Sequence, residues 1–244
     1  MDRLLEATAR AERDHFWFRG FRRFMEPLLA GIASGRRIEI LDCGCGTGHN
    51  LQMLRRYGRA YGIDLTWSGL QYAHRQGEKK VAQATVGALP APGARFDLVT
   101  SFDVLYGLPE DVETAAIAEM MRVLKPGGWA IVNVAALPWL RGNHSVLGGE
   151  LRRYRRRELR DKLERAGFRV TRTSYTNFSI FPLVAAVRVK QRFSGHVESD
   201  AEITVPAAPV NAALSALLSL EAAALRVVNM PIGSSVMAVA QKPY

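Results

Sequence analysis

The sequence predicts an α/β protein built on a doubly wound parallel sheet, and three observations carry that expectation. The first is the run Ile38-Glu39-Ile40-Leu41-Asp42-Cys43-Gly44-Cys45-Gly46-Thr47-Gly48, a buried strand that breaks into a glycine turn and opens a helix from His49 to Tyr57. Glycines at alternate positions let the backbone turn sharply and approach a ligand, and the helix aims its first free N–H groups at the same point. The second is Asp64, which ends the next strand about 20 residues later, where doubly wound folds place a carboxylate that receives ribose hydroxyls. The third is the alternation of strand-length hydrophobic runs with amphipathic helical patterns, the mark of βαβ units and a parallel sheet.

Taken in order, the strands are expected at 37–43, 59–64, 81–86, 96–102 and 129–136, with helices between them. The helix over 110–124 has Glu110, Asp111 and Glu113 in its first turn, favourable to the helix dipole, and Ile117, Met120, Met121 and Leu124 on one face. Pro126-Gly127-Gly128 ends it. Two further strands are expected near 168–176 and 234–241. The connection between them, about 55 residues, is far longer than a hairpin needs and holds two apolar helical patterns, 180–193 and 206–229. Asn211, Ser215, Ser219 and Glu221 interrupt the second pattern and make it a poor membrane span, so an integral membrane protein is not expected. The insertion is read as an extra helical layer, with a homodimer face, a cap over a substrate pocket or a shallow peripheral membrane contact as the alternatives.

The chain of 244 residues, 48% hydrophobic, can bury one good core, and a single domain is expected. Met1 to Arg23 is studded with charge and lacks the apolar stretch of a cleaved signal, which points to the cytoplasm. Cys43 and Cys45, the two cysteines, are too close and too constrained in the turn for a disulfide or a zinc pair, so no metal site is expected. The net charge of +10 brings nucleic acid, anionic membrane and phosphorylated substrates into consideration. Its densest stretch, Arg152-Arg153-Tyr154-Arg155-Arg156-Arg157 with Arg160, Lys162 and Arg165, leads into a helix whose Leu159, Leu163 and Phe168 face inward. That pattern reads as a solvated helix face.

The turn spacing is G-x-G-x-G after an acidic Asp42, and His49 stands where the dinucleotide fingerprint needs its last glycine, which favours S-adenosylmethionine over a nicotinamide cofactor. Here the chain resembles the class I S-adenosylmethionine-dependent methyltransferases, and more closely their ubiquinone/menaquinone-biosynthesis-like small-molecule branch. Asp64 with Leu65, Leu89-Pro90 followed by Phe96-Asp97-Leu98-Val99, and Leu124-Lys125-Pro126-Gly127-Gly128 resemble the later family segments, over roughly residues 37 to 136. The opening His15-Phe16-Trp17-Phe18-Arg19-Gly20 and Leu151-Arg152-Arg153-Tyr154 look like elements of one bacterial subgroup. The resemblance implies a Rossmann-like sheet of seven strands, mostly parallel, with the last antiparallel. One methyltransferase domain would span 1–244: an N-terminal helical lid at 1–36, a cofactor-binding core at 37–176, the helical insertion at 177–232 and the final strand at 233–244.

Methyl transfer from a sulfonium needs alignment in a dry pocket more than it needs catalytic side chains. The cofactor is expected across the carboxyl ends of strands one, two and four. Asp42, Gly44, Cys45, Gly46 and Gly48 would surround its methionine half and Asp64 with Leu65 the ribose. Thr85, Val86, Ser101 and Phe102 would surround the adenine, with Thr85 where many relatives carry aspartate. The opening aromatic cluster is either a lid whose Arg19 meets the cofactor carboxylate or a helix packed on the sheet. His144, in the loop after strand five, is the candidate base, with Tyr154 the first alternative and Tyr106 and Tyr61 behind it. Relatives often have aspartate directly after this histidine, where Ser145 stands. The acceptor is expected to be a small molecule with an oxygen, nitrogen or carbon nucleophile. A nucleic-acid methyltransferase is disfavoured by the absence of an N/D-P-P-Y tetrapeptide, and a non-catalytic cofactor-binding protein is the remaining alternative.

Overall fold

A computed structural model of the chain describes residues 9, 11–142, 149–194 and 204–244. Seven strands form one sheet: β1 (Ile38–Cys43), β2 (Gly58–Asp64), β3 (Val81–Gln83), β4 (Phe96–Phe102), β5 (Leu124–Ala135), β6 (Arg169–Thr176) and β7 (Ser235–Gln241). Their order is β3-β2-β1-β4-β5-β7-β6. The first five are parallel to their neighbours, and β7 runs antiparallel between β5 and β6. Every residue of β7 is buried, which is why its sequence shows no polar alternation. The order reverses between β1 and β4, so a crevice opens at their carboxyl ends.

The helices are α1 (Phe16–Ala33), α2 (His49–Leu54), α3 (Trp67–Arg75), α4 (Glu110–Val123), α5 (Arg156–Arg165), α6 (Phe181–Ser194) and α7 (Ala208–Ala224). Several boundaries differ from expectation. β3 stops at Gln83, which leaves Thr85 and Val86 in the loop beyond it, and α2 ends at Leu54. β5 starts earlier than its apolar run, because Leu124 pairs with Phe96 before a bulge returns the ladder to register at Leu98 and Trp129.

The apolar face of α4 packs Ala116, Ile117, Met120 and Val123 into the core, and α1 adds Phe24, Met25, Leu29 and Ala33. The second helix of the insertion, α7, lies on α1. Gly20 permits the approach, since a Cβ there would overlap Leu218 of α7. Three of the four polar residues that interrupt α7 are its inward anchors. Asn211 accepts from the Phe16 N–H (2.8 Å) and donates to the Asp14 carbonyl (2.9 Å), and Ser215 accepts from Arg23 (3.3 Å). Glu221 accepts from the N–H groups of Phe178 and Ser179, each at 2.9 Å. Burying these groups is tolerable because each has partners. No helix of the described residues is long and apolar enough to cross a membrane.

Candidate active site

The glycine turn joins β1 to α2, and its three glycines adopt φ of +86° (Gly44), +50° (Gly46) and +80° (Gly48), a backbone region open to glycine. Its donors are used internally. Gly44 and Cys45 N–H both reach the Ile63 carbonyl at 2.8 Å, and Gly46 N–H reaches Asp64 Oδ2 at 2.7 Å. Asp64 Oδ1 accepts from Thr66 N–H (2.8 Å) and Thr66 Oγ1 (2.5 Å). The carboxylate expected for the ribose is therefore also a brace between the end of β2 and the glycine turn. Cys45 is buried under β2, where a Cβ on Gly62 would come within 2.6 Å of its sulfur. Burial pushes both thiols well above their ordinary range.

Asp42 lies beneath the turn and is almost fully buried, with Oδ1 accepting from Thr100 Oγ1 at 2.7 Å. Burial pushes its carboxyl up to about 7; the Thr100 hydroxyl opposes the rise and the Asp64 charge adds to it. An acid raised on folding holds its proton more tightly in the folded chain, so its contribution to stability is full below about pH 4 and is lost as pH rises through 7. Asp42→Asn is expected to flatten the fall in unfolding free energy between pH 4 and 7 by up to ~1.4 kcal/mol per pH unit. Urea unfolding at stepped pH checks this; an unchanged slope would exclude Asp42 as its source.

Two elements cover the turn. From the segment before α1, Glu12 accepts a hydrogen bond from Thr47 Oγ1 of the turn while its carbonyl accepts from Arg22 at 3.0 Å. Burial raises the Glu12 carboxyl to about 6, against the Thr47 hydroxyl and the Arg22 charge. From α1 itself, Phe21 meets Phe102 edge to face at 4.9 Å, above the end of β4. Arg19, half-buried on the same helix, is one turn from Arg22 and Arg23. Leu65 is 67% exposed just beyond Asp64, Val86 is buried, and Thr85 Oγ1 accepts from Gly87 N–H at 3.3 Å. Ser101 is buried, and its hydroxyl has no hydrogen-bond partner among the described residues.

The expected bases fare differently. His144 lies outside the described residues. Tyr154 is corrected: it is buried and its hydroxyl donates to Glu113 Oε1 at 2.7 Å, and burial with that carboxylate drives its pKa far up, so it is no proton acceptor. Glu113, fully buried, also pairs with Arg152 and with Lys162 (3.0 Å). This network amends the basic stretch as well, because Arg152 and Lys162 are internal counterions and Arg153 pairs with the buried Glu150 at 2.6 Å. The solvated face is left to Arg155, Arg156, Arg157, Arg160 and Arg165. Tyr61 packs edge to face on Phe96 at 5.9 Å, and burial raises Tyr106 far above its usual value.

Sequence reasoning passed over Asp103 and Asn133. Asp103 follows β4 with φ of +60°, and Asn133 of β5 donates from Nδ2 to its Oδ1 at 3.0 Å. A non-glycine residue in this region at the end of a central strand was the missing signal, and it is visible only in three dimensions.

The comparisons with known proteins agree with this geometry. Residues 41–132 match the family model described as a methyltransferase domain. An uncharacterised protein of Methanocaldococcus jannaschii is 30% identical over 173 residues, 59% of this chain and 66% of that one. A malonyl-[acyl-carrier protein] O-methyltransferase of Serratia marcescens is 33% identical over 113 residues, 46% of this chain and 44% of the enzyme. The chain thus spans less than two thirds of the length of these curated relatives. Among solved structures, a chain of the complex between the Haloferax volcanii Trm112 methyltransferase activator and a methyltransferase superposes with a TM-score of 0.63 at 18% identity, over 98% of this chain and 95% of that one. Sheet order, glycine turn, Asp64 and the matched family model converge: residues 41–132 of the chain carry a methyltransferase domain.

Proposed function

We propose that the protein transfers the methyl group of S-adenosylmethionine to a small-molecule acceptor. The observation that carries this reading is the pairing of Asp64 with the glycine turn at the sheet's switch point, where a Cβ on Gly46 would meet nothing within 4 Å. That space in front of the turn, beside a carboxylate whose Oδ2 has accepted one hydrogen bond, suits an adenosyl and amino-acid ligand. When bound, the cofactor supplies a methyl group on a positively charged sulfur. The chain's own residues then have to bind, orient and exclude water. In this reading Asp64 receives the ribose hydroxyls and Arg19 the cofactor carboxylate, while Leu65, Thr85 and Val86 border the adenine. The Phe21–Phe102 pair closes the crevice against water, which strengthens every polar contact inside it. An O-methyltransferase among the curated relatives supports a heteroatom acceptor.

The experiment is calorimetric titration with S-adenosylmethionine, followed by detection of S-adenosylhomocysteine over a panel of metabolites and of duplex and single-stranded oligonucleotides. Product with oligonucleotides alone would replace the small-molecule reading by the nucleic-acid one. Asp64→Ala is expected to lower cofactor affinity at least tenfold, since charge-assisted hydrogen bonds contribute ~1.5–3 kcal/mol each. It also strips Gly46 N–H and Thr66 of their acceptor, so a modest fall in Tm should accompany the loss.

A further inference from the structure

We propose that Asp103, held by Asn133, binds the acceptor's nucleophilic N–H or O–H group and takes its proton during methyl transfer. The inference rests on the methyltransferase reading and narrows it to an amine or hydroxyl acceptor. Four observations support it. Asp103 stands at the carboxyl end of β4, beside the switch point, and the next residue, Val104, lies against Gly44 of the cofactor turn so closely that a Cβ there would overlap it. Its backbone is held at φ +60°, with its N–H donated to the Asn133 carbonyl at 2.9 Å, a conformation of the kind found where a side chain is aimed for function. One carboxylate oxygen is engaged by Asn133 Nδ2, and the residue is exposed, so a ligand can reach the other oxygen. Asn133 itself is 2% exposed, and its Oδ1 has no hydrogen-bond partner among the described residues. Its Nδ2 is committed to Asp103, so Oδ1 is a buried acceptor awaiting a donor, a costly arrangement unless a ligand supplies one.

Two hydrogen-bonded neighbours therefore each keep an acceptor atom, a carboxylate oxygen and an amide oxygen, and the group that suits them carries hydrogen-bond donors. The surroundings tune the carboxylate for the task. The protein around the carboxylate raises its pKa above the ordinary carboxylate range; Asn133 and Arg153 oppose the rise and Glu150 adds to it, with Tyr106 the other titratable group close by. A carboxylate shifted in that direction is a stronger base than a free one. In the step, the bond from the acceptor's nitrogen or oxygen to the methyl carbon forms as the carbon–sulfur bond breaks. The electron pair stays on sulfur, giving the thioether product, and the acceptor's proton passes to the free oxygen of Asp103.

The test needs no knowledge of the acceptor. Sinefungin carries an ammonium-bearing carbon where S-adenosylmethionine carries its sulfonium methyl, so its N–H donors point from the methyl position toward the place of the acceptor; S-adenosylhomocysteine lacks them. Calorimetry on the full chain should show that Asp103→Asn lowers sinefungin affinity at least tenfold while S-adenosylhomocysteine affinity stays within about threefold. On the unaltered protein, the preference for sinefungin over S-adenosylhomocysteine should shrink as pH falls from 8.5 to 5.5. This second measurement decides the matter if the variant does not fold. Binding of both ligands with a preference insensitive to the substitution and to pH would overturn the role of Asp103. Failure of both ligands to bind the unaltered protein would overturn the methyltransferase reading itself, and this proposal with it.

Discussion

Gly44→Val is expected to abolish cofactor binding, with at least a hundredfold loss of S-adenosylmethionine affinity, and to lower stability by roughly 2–5 kcal/mol. Two independent effects add. At φ +86° a branched side chain pays the left-handed penalty of ~1–2 kcal/mol, and its Cβ would overlap the Val104 side chain, adding an overpacking cost of ~1–3 kcal/mol. The strain would be relieved by moving the turn, and the turn is what Gly46 and Asp64 hold against the crevice. The two contributions can be separated. Val104→Ala in the same chain should recover part of the lost Tm by removing the overlap, without recovering binding, because the backbone penalty persists. Gly31→Ala is the control: a Cβ there meets nothing within 4 Å, it lies inside α1, and a gain of ~0.5–1 kcal/mol is expected. Full cofactor affinity in Gly44→Val would show that the turn does not cradle the ligand.

Glu113→Ala should be the most destabilising single truncation outside the cofactor turn, at ~3–5 kcal/mol, because it leaves the half-buried cations Arg152 and Lys162 without their shared carboxylate and orphans the buried Tyr154 hydroxyl. For a chain of this size that corresponds to a fall in Tm on the order of 10 °C. Glu113→Gln should fall between, since it keeps an acceptor for Tyr154 but no charge for the two cations. Tyr154→Phe should lower Tm while leaving S-adenosylmethionine affinity unchanged, as expected for a group that braces the fold. Thermal unfolding followed by circular dichroism, with calorimetric titration of each variant, checks all three. A Glu113→Ala protein as stable as the unaltered chain would mean that the network contributes nothing net.

The basic stretch shows how a sequence pattern is amended in three dimensions. Read along the chain, Arg152 to Arg165 is a run of cations before an amphipathic helix, and a solvated face is the natural expectation. The helix is there, at Arg156–Arg165, and its apolar Leu159 and Leu163 are buried. Yet the cations nearest its start turn inward to Glu113 and Glu150. Glu113 is 41 residues from Tyr154, and nothing local to either residue announces the pair. On the helix of Glu113 the acidic first turn suits the dipole, which is a sufficient local reason for a glutamate and conceals the other one. The same applies to α7, whose polar residues read as defects in an apolar helix until Asn211 is seen to bond a backbone N–H 195 residues away.

What the sequence determined by itself is the part written in short-range backbone chemistry: the strand and helix alternation, the glycine turn with its positive φ values, and the carboxylate at the end of β2. These are legible because a turn that needs φ > 0, or a strand buried on both faces, restricts residue type at the position itself. The tertiary structure decided the rest. It set β7 between β5 and β6, laid α7 on α1, removed Tyr154 from the chemistry by burying it on Glu113, and brought Asn133 to Asp103 across 30 residues of chain. Each is a choice of partner among side chains distant in sequence, made by which surfaces the packed core leaves room for and which buried polar groups must be satisfied, and no local pattern encodes it.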